Sequence, residues 1–290
     1  ASSRTKSAHD AESVCRQSVE ANTHWKVLVA VPASIAPMMN TFASWLHLTP
    51  DAALVMIAGV FLASVVRGFS GFALTATVMA GVGMVLPPVQ LLPVCLILEF
   101  VASLFMLRAG LREADFRLVA TLMVGTLIGV PIGLSLTTSL SPEVSRPLVQ
   151  SLILLLAFAQ LLKVRPQWLA GQSGRAIAGV LAGIATGIAG LGGMVIAVFV
   201  LVQQLPAKSM RGSLVVYVFM SMIISATFQY LFGVMTAEGL TRGATLVPLA
   251  VIGVLLGQLL FRPRWETAYR KVCLTLLVLL ASIGLMQTLA

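Results

Sequence analysis

Charge is what this 290-residue chain has least of. Only 10% of its residues are Asp, Glu, Lys or Arg, while 58% are hydrophobic. Soluble domains carry about 25% charged residues, so a deficit of this depth belongs to a chain that keeps most of its length in lipid. The mean hydropathy of +0.99 agrees. Histidine is scarce too: His9, His24 and His47 all precede the apolar body, which excludes a buried histidine metal centre. Of three cysteines, Cys15 lies in a polar stretch, while Cys95 and Cys273 lie in apolar runs, where a thiol behaves as a small hydrophobe. Neither a disulfide framework nor a metal-ligand spacing results. No histidine or carboxylate pair stands at membrane depth to activate a serine, so the expectation is a protein that is not an enzyme and holds no cofactor. The net charge of +9 invites a nucleic-acid partner. The basic residues, however, form no amphipathic face or aromatic-rich segment, and no binding module is visible.

What the chain does have is glycine at two matching places. Arg67-Gly68-Phe69-Ser70-Gly71-Phe72-Ala73 and Thr186-Gly187-Ile188-Ala189-Gly190-Leu191-Gly192-Gly193 each interrupt a long apolar stretch. A shift of 119 residues lays Gly68 on Gly187, Gly71 on Gly190, and the turn-marking Pro87 on Pro206. After a short insertion the offset becomes 124, bringing Gly129 onto Gly253, Gly133 onto Gly257 and Arg146 onto Arg270. Helices broken at corresponding points of two hydrophobic halves are the sequence pointer to a transporter's binding site.

Ten apolar segments follow residue 50, near 51–66, 72–86, 89–107, 116–138, 143–163, 174–189, 194–205, 212–235, 242–261 and 268–289. The pair flanking each break falls short of the roughly 20 residues a helix needs to span. Each half therefore reads as a short broken hairpin, crossing or re-entrant, followed by three full spans. Either choice gives an odd number of crossings per half, so the halves, 51–165 and 166–290, are expected to form an inverted repeat in an all-α polytopic membrane protein. Of the nineteen Lys and Arg, four lie in the tail before residue 50. Thirteen of the remaining fifteen then fall on one side of the membrane, with only Arg146 and Arg242 on the other. That asymmetry puts residue 50 and the C-terminus outside the cytoplasm. Residues 1–50 form a polar tail plus a stretch, 27–46, broken by Pro32 and Pro37. We read the part before Met38 or Met39 as an upstream extension, with an interfacial helix or an extra span as the alternatives.

The side chains at the breaks carry the functional expectation. Backbone freed by Gly68, Gly71, Gly190, Gly192 and Gly193 survives in lipid only if buried in protein or lining a watery cavity. A helix restarting there points its positive end inward, which suits an anion. A dinucleotide loop would need a preceding strand and a soluble domain, and neither is present. Arg67 and Ser70 adjoin the first break; Arg67 either faces the cavity or anchors the hairpin at the surface. Glu99 is the clearest intramembrane carboxylate, with Ser103 one turn on. It is a proton carrier, a counter-charge to an arginine such as Arg67, or a structural ion pair. The corresponding span of the second half has Val218 there. It carries a polar row instead, Ser213, Tyr217, Ser221, Ser225 and Gln229, which lines a solute path or binds neighbouring helices. The stripes Gly125, Gly129, Gly133 and Gly179, Gly183, Gly187, and Gly253 with Gly257, read as helix-packing surfaces, and Pro131 and Pro248 as kinks.

Taken in order, Gly68-Phe69-Ser70-Gly71-Phe72, Pro87-Pro88, Asp115-Phe116-Arg117, Gly187 to Gly193, Pro206 and Arg211-Gly212-Ser213 resemble the sulfite exporter TauE/SafE family over residues 51 to 290. The chain departs from the family's pattern at Ala73 and Leu74, where a further glycine is common, and the first half lacks the Gly-Ser step of the second. The resemblance implies export of sulfite or of small organosulfonate or carboxylate anions across a bacterial inner membrane, driven by protons. On that reading Arg67, Gly68, Ser70, Gly71, Gly190, Gly192, Gly193, Ser213, Tyr217 and Ser221 contact the anion and Glu99 couples protons. The rival classes are an anion channel and a non-transporting membrane scaffold or assembly factor.

Overall fold

The computed structural model describes residues 36–164, 171–202, 207–260 and 266–289. Among these every regular element is a helix. A short helix α1 (Ala36–Leu46) precedes the first half: α2 (Pro50–Ser70), α3 (Leu74–Gly81, extended by a 3-10 turn at Val82–Met84), α4 (Pro88–Glu113), α5 (Phe116–Ser139) and α6 (Pro142–Leu161). The second half is α7 (Gln172–Ala189), α8 (Gly192–Val202), α9 (Ala207–Leu231), α10 (Ala237–Leu260) and α11 (Glu266–Leu289). Among the described residues a helix thus occupies each of the ten expected apolar segments. Seven helices of the described residues are long and apolar enough to cross a membrane. Large apolar side chains such as Leu127, Ile128, Leu155, Leu259 and Val272 stay exposed on their outer faces, the arrangement expected of an integral membrane protein.

One expectation needs correction. The helix before the first break is not short: Arg67 to Ser70 continue it, so α2 reaches 21 residues and qualifies as a span. Glycine density overstated the break, because a glycine whose neighbours pack well stays helical. In the first half only the helix after the break, α3, is short; in the second, α7 has 18 residues and the described part of α8 has 11. Pro206, and residues 27–35 of the stretch 27–46, lie outside the described residues.

Four helix starts have a local cause. Pro50, Pro88 and Pro142 sit in first turns, where a missing N–H costs nothing. The Asp115 carboxylate caps α5, accepting from the amides of Arg117 (3.0 Å) and Leu118 (3.1 Å). The two arginines expected opposite the positive side are both buried on carbonyl oxygens. Arg146 Nη2 donates to Val85 O (3.4 Å), while Arg242 donates to Leu46 O (2.7 Å) and His47 O (3.2 Å). Carbonyls at a helix C-terminus attract cations, which explains charge on that side without free basic loops.

The glycine stripes do what small-xxx-small patterns do in membranes. Gly125, Gly129 and Gly133 of α5 lie against Gly179, Gly183 and Ile184–Gly187 of α7, in rising register, so these helices are parallel. Gly253 and Gly257 of α10 lie against Ser64 and Gly68 of α2 in the same sense. The first helix of one half therefore packs on the fourth element of the other, twice. The third elements, α4 and α9, pack on each other in the opposite sense. Gly110 lies against Val215, Gly212 against Glu113 and Ala114, and the Phe100 and Phe219 rings stack at 5.4 Å. The antiparallel contact of α4 with α9 is the local geometry beside which the site lies.

Candidate functional site

Both breaks are made by one left-handed residue. Gly71 ends α2 at φ 85°, and its N–H donates to Arg67 O (2.9 Å); Gly190 ends α7 at φ 68°, donating to Thr186 O (2.7 Å). Glycine takes this conformation without the Cβ penalty, which is why helices so often end on it. The breaks also meet. A Cβ on Gly190 would stand 2.6 Å from Thr75 Cγ2, and one on Gly193 would stand 3.7 Å from Phe72 O. The two interruptions, 119 residues apart in sequence, share one place in the fold.

The first break is charged. On α2, Met56, Val60, Ala63 and Arg67 recur at helical spacing on the buried face, and Arg67 is fully buried. That burial removes the surface-anchor reading. On α4, Cys95, Glu99 and Ser103 lie one turn apart, all buried. Arg67 Nε stands 3.1 Å from Glu99 Oε2, and Arg67 Nη2 donates to Ser103 Oγ at 2.7 Å. The Nε contact is close yet poorly aligned as a hydrogen bond, and Arg67 Nη1 has no hydrogen-bond partner among the described residues. Glu99 Oε1 accepts from the N–H and the hydroxyl of Thr75, both at 3.2 Å.

Thr75 was not a sequence candidate, and its role follows from how α3 starts. The N-cap position, Ala73, has no side chain with which to cap. One orphan amide of the first turn, that of Thr75, therefore takes its acceptor from another helix. A carboxylate at that end also sits well with the helix dipole. The free helix start expected to receive an anion is, in this state, occupied by the protein's own.

The second break is neutral. Thr186 stands where the first half has Arg67, and its hydroxyl donates to Ala182 O (2.7 Å). The Tyr217 hydroxyl, fully buried, pairs with Thr126 Oγ1 at 2.9 Å and also with Thr186. Val218, in the place of Glu99, presents a methyl group to the start of α8: a Cβ on Gly193 would lie 3.1 Å from its Cγ2. Gly192 packs against Thr186 and Ala182, where any Cβ would collide.

The remaining sequence candidates divide. Ser70 Oγ accepts from Phe72 N at 3.5 Å inside the first break. Gly68 is helical and faces Gly257, so it is a packing position rather than part of the unwound segment. Ser213 Oγ accepts from Asp115 N (2.9 Å), tying α9 to the α4–α5 junction. Ser221 bonds its own helix at Val218 O (2.9 Å), and Ser225 accepts from Gln229 (2.9 Å). All five members of the polar row are buried. The structure thus brings Arg67, Glu99, Ser70, Gly71, Gly190 and Gly193 to the meeting of the breaks, with Tyr217 beside Thr186. Gly68 and Ser213 bind elsewhere.

No group of three or more metal-ligating side chains occurs among the described residues. Comparison with curated proteins and with solved structures gave no match. The family described as sulfite exporter TauE/SafE matches residues 55–283, spanning both breaks and all seven candidate spans but the ends of the first and last. Two glycine-ended helices meeting at a buried arginine, within a chain matched over most of its length, place this protein in the sulfite exporter TauE/SafE family, a family of membrane transporters of sulfite-type anions.

Proposed function

We propose that this protein exports a small anion of the sulfite, organosulfonate or carboxylate class across the inner membrane of a bacterium, coupled to protons, by alternating access of two oppositely oriented halves. The observation that carries the proposal is the meeting of the two breaks, Thr75 against Gly190 and Phe72 against Gly193, beside a fully buried arginine. Irregular backbone at membrane depth is tolerated where it lines a site between repeats. The antiparallel pairing of α4 with α9 supports the inverted relation, and the twice-repeated glycine interface supplies matching surfaces for rocking. A buried guanidinium with an unpartnered Nη1 has hydrogen-bonding capacity to offer a ligand. Glu99, a buried carboxylate 3.1 Å from Arg67, supports the reading of a proton-exchanging group.

The test is a thermal-unfolding screen of the purified protein with sulfite, methanesulfonate and acetate, followed by flux in proteoliposomes. A ligand at a hundred times its Kd stabilises the folded state by about 2.7 kcal/mol. The expected result is stabilisation by sulfite or methanesulfonate, with uphill accumulation under a pH gradient. Stabilisation by none of them returns the breaks to a packing role; flux without uphill accumulation assigns a channel.

A further inference from the structure

The anion-binding groups of the first break are already in use. Glu99 takes the N–H and hydroxyl of Thr75 through one carboxylate oxygen and faces the Arg67 guanidinium with the other. A helix-start amide, a hydroxyl and a guanidinium are the donors a sulfonate or bisulfite oxygen would seek. The carboxylate occupies the position of a substrate.

The pair itself is neutral. Arg67 on α2 and Glu99 on α4 cancel, and both are buried. Cys95 lies beside Glu99 on its own helix, and Arg211 on α9 acts on Arg67 at longer range. On α10, Arg242 is engaged with Glu238 (3.7 Å) and the carbonyls of Leu46 and His47. On the other helices against α4, Arg146 of α6 donates to Val85 O, Arg117 of α5 is exposed and Arg175 of α7 is half-buried. Tyr217 of α9 is paired with Thr126. Adding an anion to a neutral buried pair leaves an uncompensated negative charge where the surroundings screen it poorly. One proton on the displaced carboxylate removes that charge.

Resting on the export reading, we propose that the transported anion replaces the Glu99 carboxylate on Arg67 and Thr75. Glu99 takes up one proton from the aqueous phase as it is displaced and gives it back when the anion leaves on the other side. The anion is carried as a monoanion with one proton in the same direction, so each cycle moves no net charge. Export then runs on the anion's own outward gradient, and an acidic exterior opposes it. A dianion would leave the cluster negative by one charge, so the site favours bisulfite or an organosulfonate over sulfate. The one bond made and later broken is the O–H of the protonated Glu99 carboxyl.

The test uses the full chain in proteoliposomes with labelled sulfite and a membrane potential set by a potassium gradient and valinomycin. The expected result is a sulfite accumulation ratio that follows the pH gradient and is unchanged by the imposed potential. In Glu99→Gln, which cannot take the proton, the remaining flux should carry one negative charge, its ratio changing tenfold for each ~59 mV. Wild-type accumulation that follows the potential overturns the proposal, even where Glu99→Gln fails to fold. As a second wild-type readout, methanesulfonate, a fixed monoanion, should inhibit sulfite flux at least tenfold more strongly than sulfate, a fixed dianion. Equal inhibition, or none by methanesulfonate, overturns it too. Absence of all sulfite flux is a different failure, that of the export reading itself.

Discussion

The two breaks have nearly the same backbone and opposite chemistry. Gly71 and Gly190 end their helices in the same left-handed turn, and in both cases the helix that restarts begins without a side-chain cap from the residue before it. In the first half Arg67, Glu99 and Thr75 fill that place with charge. In the second, Thr186, Val218 and Gly193 fill it with a hydroxyl, a methyl and a bare backbone. On the proposed function, the matched backbone serves movement and the unmatched side chains serve holding of the anion. The glycine interfaces, found in both halves, would then belong to the first task, and the charged cluster of the first break to the second.

The sharpest way to break this contrast is to remove the charge. Arg67→Ala leaves the Glu99 carboxylate buried and unpaired, and we expect loss of transport with destabilisation of about 3–5 kcal/mol. The double variant Arg67→Met with Glu99→Gln should recover most of the stability in denaturant titration and none of the transport. Transport surviving in either would take the anion away from the first break. Next come the interfaces. Gly187→Ala puts a Cβ 2.5 Å from Leu134 N, and its counterpart Gly68→Ala puts one 2.8 Å from Gly257 Cα. Each should cost about 1–3 kcal/mol through overpacking. Unequal losses, with one position tolerant, would mean that the two interfaces are not equivalent. The smallest effect belongs to the neutral break. Tyr217→Phe removes the bonds to Thr126 and Thr186, and should lower stability by about 0.5–1.5 kcal/mol for each. It should slow transport by no more than about tenfold, the equivalent of about 1.4 kcal/mol. A loss as large as that of Arg67→Ala, measured as sulfite flux, would erase the asymmetry.

The architecture was legible in the sequence because membrane helices are punctuated by residue types with few other uses. Glycines at spacing four marked the interfaces, and the same glycine–proline order appeared twice. Which glycine actually breaks a helix was not legible. Gly68 and Gly71 look alike in sequence, and only the tertiary contact of Gly68 with Gly257 keeps the former helical. Arg67 and Glu99 announced themselves as charges in apolar runs, with their pairing one of several options. Thr75 gave no such signal, since a threonine among alanines and leucines is ordinary in a span. Its one clue was indirect: Ala73 offers no cap, so an acceptor for the first amides of α3 had to come from elsewhere. Ser213 and Tyr217 were read as one row because helical spacing groups them. Their partners, Asp115 N for one and Thr126 for the other, lie on different parts of the chain and separate their roles.

The central claim is that an anion and the Glu99 carboxylate compete for Arg67 and Thr75. It is tested most directly by a structure of the protein in a lipid nanodisc at saturating sulfite and acidic pH. The account predicts sulfite against Arg67 and the Thr75 amide, with Glu99 withdrawn from its present 3.1 Å contact. Sulfite bound elsewhere, with that contact and the Thr75 bonds intact, would contradict it.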